Sequence, residues 1–149
     1  YLIIMEKLNF SININAPRTK VWNSLFDDDN YREWTSVFAE GSYAQTDWKE
    51  GSKVLFLDGK GNGMVSRIAK NLPNEFLSIE HLGMVYEGKE DTASDEVKSW
   101  AGAKENYTLG ENNGITTLTI DMDANSEWKD YFSKTWPKAL DKVKEISER

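Results

Sequence analysis

Between residues 6 and 14 apolar and polar positions alternate. Leu8, Phe10, Ile12 and Ile14 fall on one side, and Asn9, Ser11 and Asn13 on the other. This is the period of a strand with one wet face. Asn15-Ala16-Pro17 ends it, Asn15 suiting a helix N-cap and Pro17 a first helical turn. A short helix is predicted to about Phe26, with Val21, Trp22, Leu25 and Phe26 as its apolar side. The run Asp27-Asp28-Asp29 breaks it. A second short helix is predicted from near Asn30, whose spacing to Glu33 matches a capping box. It presents Tyr31, Trp34 and Phe38.

From Glu40 the pattern changes to short strands, predicted at about 41–47, 52–58, 63–70, 75–86, 102–110 and 115–122. Turn residues separate them: Glu50-Gly51, Asp58 to Gly63, Leu72-Pro73-Asn74 and Glu111 to Gly114. The stretch from Glu87 to Trp100 is polar except for Val97 and Trp100, and its length makes it a candidate lid or binding loop. A long helix from about Ser126 to Glu148 follows, with Asn125 or Ser126 as cap. Trp128, Tyr131, Phe132, Trp136, Ala139, Val143 and Ile146 lie on one side of it. Trp128→Ala or Phe132→Ala is therefore expected to cost about 3–5 kcal/mol. Pro137 in mid-helix predicts a kink near Ser133 and a loosening beside Trp136.

Side-chain parity ties the strands together. Leu118, Ile120 and Met122 face inward, as do Glu105, Tyr107 and Leu109 across the Asn113-Gly114 turn, and Leu77, Ile79 and His81 across the long loop. His81 and Glu105 should then meet on the concave face of one antiparallel sheet, unless a bulge intervenes. The long helix is expected to lie on Leu77, Ile79, Tyr107, Leu109, Leu118 and Ile120.

Composition narrows the reading. The 149 residues suit one domain, 1–149. Six Trp, six Tyr and six Phe in a chain only 39% hydrophobic put much of the core in rings. With no Cys there is no disulfide framework, thiolate metal site or Cys nucleophile, which fits the cytoplasm. The net charge of −7 argues against nucleic acid, and no apolar run is long enough for membrane insertion. The opening Tyr1-Leu2-Ile3-Ile4 lacks a basic stretch and does not read as a secretory signal; it is either native or an extension ahead of a start at Met5.

Several segments resemble a known superfamily. Asn15-Ala16-Pro17-Arg18-Thr19-Lys20-Val21-Trp22 is similar to an opening "hAPxxxVW" signature. Gly63-Met64-Val65 with Leu72-Pro73-Asn74 is similar to a "GxV…P" strand and turn, and Trp136-Pro137-Lys138-Ala139-Leu140 to a closing "GWxxxL" element. In order and spacing the chain resembles the START-like (SRPBCC) helix-grip superfamily from about Lys7 to Ile146. Within it the resemblance is to homologues of the heat-shock-protein-90 ATPase activator. Thr135 stands where that branch usually has Gly before the helix Trp. The resemblance implies an α+β fold: six or seven antiparallel strands curved around the C-terminal helix, two short helices after the first strand, and a cavity between sheet and helix. It does not imply one activity.

The chemistry in the sequence is sparse. His81 is the only histidine, so no multi-His metal site is available, and no cofactor motif appears. Gly59-Lys60-Gly61-Asn62-Gly63 lacks the spacing of a phosphate loop and reads as a hairpin turn. The candidate cavity residues are Trp34, Phe38, Phe56, His81, Glu105, Tyr107, Phe132 and Trp136; no catalytic residue is assigned. The expected function is non-enzymatic binding of a small apolar or amphipathic molecule. The alternatives are a chaperone-cofactor-like protein-interaction domain and a cyclase or dehydratase using His81.

Overall fold

The computed structural model describes residues 4–149. Of the expected extension, Tyr1–Ile3 lie outside the described residues. Strand β1 (Met5–Ile14) leads into helices α1 (Arg18–Phe26) and α2 (Asp28–Thr35). Strands β2 (Tyr43–Gln45), β3 (Lys53–Leu57), β4 (Gly63–Leu72), β5 (Phe76–Tyr86) and β6 (Lys89–Asp91) follow. A short helix α3 (Asp95–Lys98) precedes β7 (Lys104–Asn112) and β8 (Ile115–Asn125). A 3-10 turn, Ser126–Trp128, then opens helix α4 (Lys129–Ser147).

All eight strands form one antiparallel sheet in the order β1-β8-β7-β5-β4-β3-β2, with β6 beside β5. This is the expected helix-grip arrangement with one strand more than foreseen. The extra strand is β6, within what read as the polar loop. β1 sits at one edge, and the chain crosses through α1 and α2 to start the meander at the other. Asn113 and Gly114, at φ 54° and 77°, make the tight turn between β7 and β8. Two successive positive φ values fit a hairpin turn that twists with its strands. The Gly59–Gly63 segment is likewise a turn, closed by Asp58, whose carboxylate accepts from the backbone of Lys60 and Asn62.

Parity on β7 and β8 is as read. Glu105 lies opposite Met122, Tyr107 opposite Ile120 and Leu109 opposite Leu118. Across β5, Leu77 lies opposite Tyr107 and Ile79 opposite Glu105. The β4–β5 register shifts between Val65 and Ser66, so that Ser66 pairs with His81 and Val65 with Gly83. The irregularity falls just beyond His81 and leaves the imidazole on the inner face. Past it, Val65 and Val85 turn to the opposite side. There they are buried, with Val97 of α3, apart from the main core. The stretch Glu87–Trp100 is thus partly a docked cover on the sheet rather than a free lid. Gly83 is needed for that contact: a Cβ there would lie 2.1 Å from the Asp91 carbonyl oxygen.

Local details differ at the helix starts. Asn15 does not cap α1; its backbone N–H donates to Glu148. α2 starts at Asp28 and not Asn30, because Asp28 and Asp29 suit the positive end of a helix. Arg32 also bonds Asp28 one turn later. Asn125 does cap the closing segment, accepting from Glu127 N–H at 3.0 Å.

The predicted face of the last helix is half right. Trp136, Ala139, Leu140, Val143 and Ile146 are buried, but Trp128 is 54% and Tyr131 37% exposed, and Phe132 is only partly buried. The helix does not begin at Ser126. Three residues of tighter 3-10 turn come first, which rotates Trp128 off the buried stripe. Trp128, Tyr131 and Phe132 pack on one another, and the Tyr131 hydroxyl ties them to the Phe38 carbonyl. α4 runs unbroken through Pro137. Its main strand neighbour is β1, while α1 and α2 cover much of the remaining inner face. The six strand residues expected beneath α4 do belong to the same core cluster. No helix among the described residues is long and apolar enough to cross a membrane.

Candidate functional site

Three adjacent strands place a row of polar side chains on the inner face. Ser66 of β4 lies 2.7 Å from His81 Nδ1, and His81 Nε2 lies 3.1 Å from Glu105 Oε1. The Tyr107 hydroxyl donates to Glu105 Oε2 at 2.5 Å. His81 and Glu105 thus meet as parity required, and Tyr107 joins them. Ser66 was missed, although its parity with inward Ile68 points to the same face. The bulge beside it hid the pairing.

The row is an electrostatic device as much as a structural one. Burial pushes the Glu105 carboxyl up. The His81 hydrogen bond and charge, with the Tyr107 hydroxyl, more than offset that and leave it below the ordinary carboxylate value. An ionised carboxylate only accepts, so His81 Nε2 carries a hydrogen. Tyr107 and Tyr31 are held well above the usual phenol range, first by burial and then by the Glu105 charge. Here a charge sits inside an aromatic interior with both of its oxygens engaged. Ser66 is wholly buried and His81 nearly so. The His81 ring is bonded at both nitrogens.

Rings surround this row. Trp136 lies with its centroid 5.9 Å from Trp34, 5.0 Å from Phe38 and 6.2 Å from Tyr107. Trp34 also contacts Tyr107, and Phe56 sits edge-on to His81 at 6.1 Å. The indole N–H of Trp34 donates to the Leu25 carbonyl, and that of Trp136 points to Met122 sulfur. Seven of the eight candidate residues are thus linked through contacts around Trp34 and Tyr31. Phe132 joins them through Tyr131, whose ring lies edge-on to Phe38 at 6.4 Å and whose hydroxyl donates to the Phe38 carbonyl at 2.8 Å. The space between sheet and helix, expected to hold a cavity, is where these rings interlock.

Among the hollows on the surface are two small ones. One, of about 180 Å³, is lined by Trp22, Asn23, Phe26, Asp27, Trp48, Asn71 and Leu77. The other, of about 270 Å³, lies over Lys53, Val65, Arg67, Leu82, Glu90 and their neighbours. None of the eight candidates lines either. Trp48 adopts φ 62°, a left-handed conformation costing a bulky residue about 1–3 kcal/mol. It is held there by Asn71 Nδ2 donating to its carbonyl at 2.8 Å. Trp48 went unnoticed in the sequence because it stands alone in a turn. Among the described residues no group of His, Cys, Asp and Glu is arranged to hold a metal.

Residues 15–148 match the family model described as Activator of Hsp90 ATPase homolog 1-like protein. The chain belongs to that family. Solved structures with the same fold include DynU16, a protein of the dynemicin biosynthetic locus, at 16% identity and TM-score 0.70; the match covers 95% of this chain but 47% of DynU16. MLL2253 from Mesorhizobium loti matches at 15% identity and TM-score 0.74, over 97% of this chain and 98% of the other. The Aha1 dimer from Colwellia psychrerythraea matches at 19% identity and TM-score 0.69, over 96% of each chain. No curated protein matches the sequence. At these identities the structures establish the fold and not the activity of this Hsp90-activator homologue.

Proposed function

We propose that this domain acts by binding a protein partner with its outer surface, as an Hsp90-type chaperone cofactor, and does not enclose a small molecule. The observation that carries the reading is the filling of the helix–sheet space by Trp34, Phe38, Tyr107 and Trp136. A container needs room where these rings meet. Two further observations agree. The exposed Trp128 and Tyr131 stand together at the start of α4, and large aromatics are favoured anchors in protein interfaces. The family description also names an activator of Hsp90 ATPase.

The test is the ATPase rate of the cognate Hsp90 with increasing amounts of the domain, alongside direct binding by surface plasmon resonance. A saturable rise in rate with matching affinity is expected, weakened by Trp128→Ser at unchanged melting temperature. No binding and no rate change would overturn the proposal.

A second reading is favoured by the polar row itself: a small apolar or amphipathic ligand held near Phe56, His81, Glu105 and Tyr107. Native mass spectrometry after mild purification, with a thermal-shift screen of lipids and aromatics, separates the two. A cyclase or dehydratase role for His81 lacks support, since its ring is buried and engaged at both nitrogens.

A further inference from the structure

We propose that the hollow between α1, the Trp48 turn and the end of β4 is a binding site for a small organic cation, a methylated ammonium ion. Its rings Phe26 and Trp48 back onto Tyr107, Tyr31 and Phe56 of the interior, but none of the exposed aromatics of α4 lines it, so it stands or falls independently of the chaperone reading.

Three rings form its wall. Phe26 lies between Trp22, at 4.8 Å and 67°, and Trp48, at 4.9 Å and 53°. The rings meet at steep angles, and all three line one half-open space of about 180 Å³. That is small for an ordinary ligand pocket, which holds several hundred Å³, so the occupant has only a few heavy atoms. Ring faces with a nearby carboxylate attract an alkylammonium through the ring quadrupole and direct charge attraction.

The carboxylate is Asp27. It has no ion-pair partner among the described residues, and no Lys or Arg lines the hollow. Asp28 beside it is already paired with Arg32, but Asp29 and the chain's net charge of −7 still favour a cation. Asp27 also makes no side-chain bond to the start of α2, so capping does not account for it.

Asn71 braces the wall: its Nδ2 donates to the carbonyl of the strained Trp48 and its backbone N–H to Glu50.

The experiment is a titration of the whole ¹⁵N-labelled chain with trimethylammonium chloride at constant ionic strength, following the indole N–H resonances of Trp22 and Trp48. Saturable shifts at both are expected, with a Kd on the order of 1 mM for so small a ligand. Neutral tert-butanol should give none. Asp27→Asn should weaken trimethylammonium binding by about fivefold or more while the remaining spectrum is unchanged. Shifts that are absent, that never saturate, that tert-butanol reproduces or that survive Asp27→Asn at full affinity overturn the proposal.

Discussion

Trp136→Ala is the sharpest probe of the interior. Trp136 is 2% exposed and meets Phe10, Trp34, Phe38 and Tyr107. A buried Trp removes roughly 200 Å² from water. At about 25 cal/mol per Å² this is about 5 kcal/mol. A compact denatured chain lowers the figure by up to about 40%, leaving about 3–5 kcal/mol. That range agrees with measured costs of truncating buried aromatics, about 3–5 kcal/mol. Trp128, more than half exposed, should lose about 1 kcal/mol or less. Urea unfolding followed by far-ultraviolet circular dichroism is the assay, because fluorescence would change with the probe removed. The two variants should share the wild-type denaturant slope and differ in midpoint. In melting temperature the Trp136 loss corresponds to roughly 8–16 °C for a chain of this size. A Trp136→Ala loss below about 1 kcal/mol, or an equal loss from Trp128→Ala, would refute the helix face and the packed interior together.

The other predictions are briefer. Glu105→Gln keeps the shape and removes the charge. The Glu105 carboxyl lies below its ordinary 4.5, so its contribution is fully present above that pH and is lost as pH falls through the lower folded value. The variant should therefore be less stable than wild type at pH 7, with the gap closing in acid; a gap constant with pH refutes this. A chain ending before Ser126 lacks Trp136, Ala139, Leu140, Val143 and Ile146 and should not unfold cooperatively; a sharp thermal transition in that fragment would contradict the architecture. Gly83→Ala should force the Asp91 backbone away, speeding amide exchange across β6 and α3 while β7 and β8 stay protected.

The strands β7 and β8 were legible because apolar and polar residues alternate without interruption from Tyr107 to Leu109 and from Leu118 to Met122, and a two-residue turn fixes their register. His81 was legible only because the bulge falls after it. β6 was not, since Lys89, Glu90 and Asp91 are all exposed and are held by backbone pairing with β5 and a Glu90–Lys53 ion pair, neither of which leaves a mark in hydropathy. The interior roles of Trp34 and Trp136 followed from helical spacing. The exposure of Trp128 did not, because a 3-10 turn and an α-helix begin with the same residues. The hollow at Trp22 and Trp48 joins segments brought together only by the fold.

The pairing of β1 with β8 has a consequence for how the chain reaches this structure. Leu8 meets Met122 and Ile12 meets Leu118, more than a hundred positions later. β1 has no other strand neighbour in the sheet. On a ribosome, then, the first strand emerges with its apolar side uncovered and waits for almost the whole sequence to be made. Contacts this distant in sequence close slowly, in the millisecond-to-second range typical of sheet-rich domains. The alternation that made β1 easy to read is also an exposed sticky edge during synthesis, and Lys7, Asn9, Ser11 and Asn13 on its outer side are what keep that edge soluble until β8 arrives.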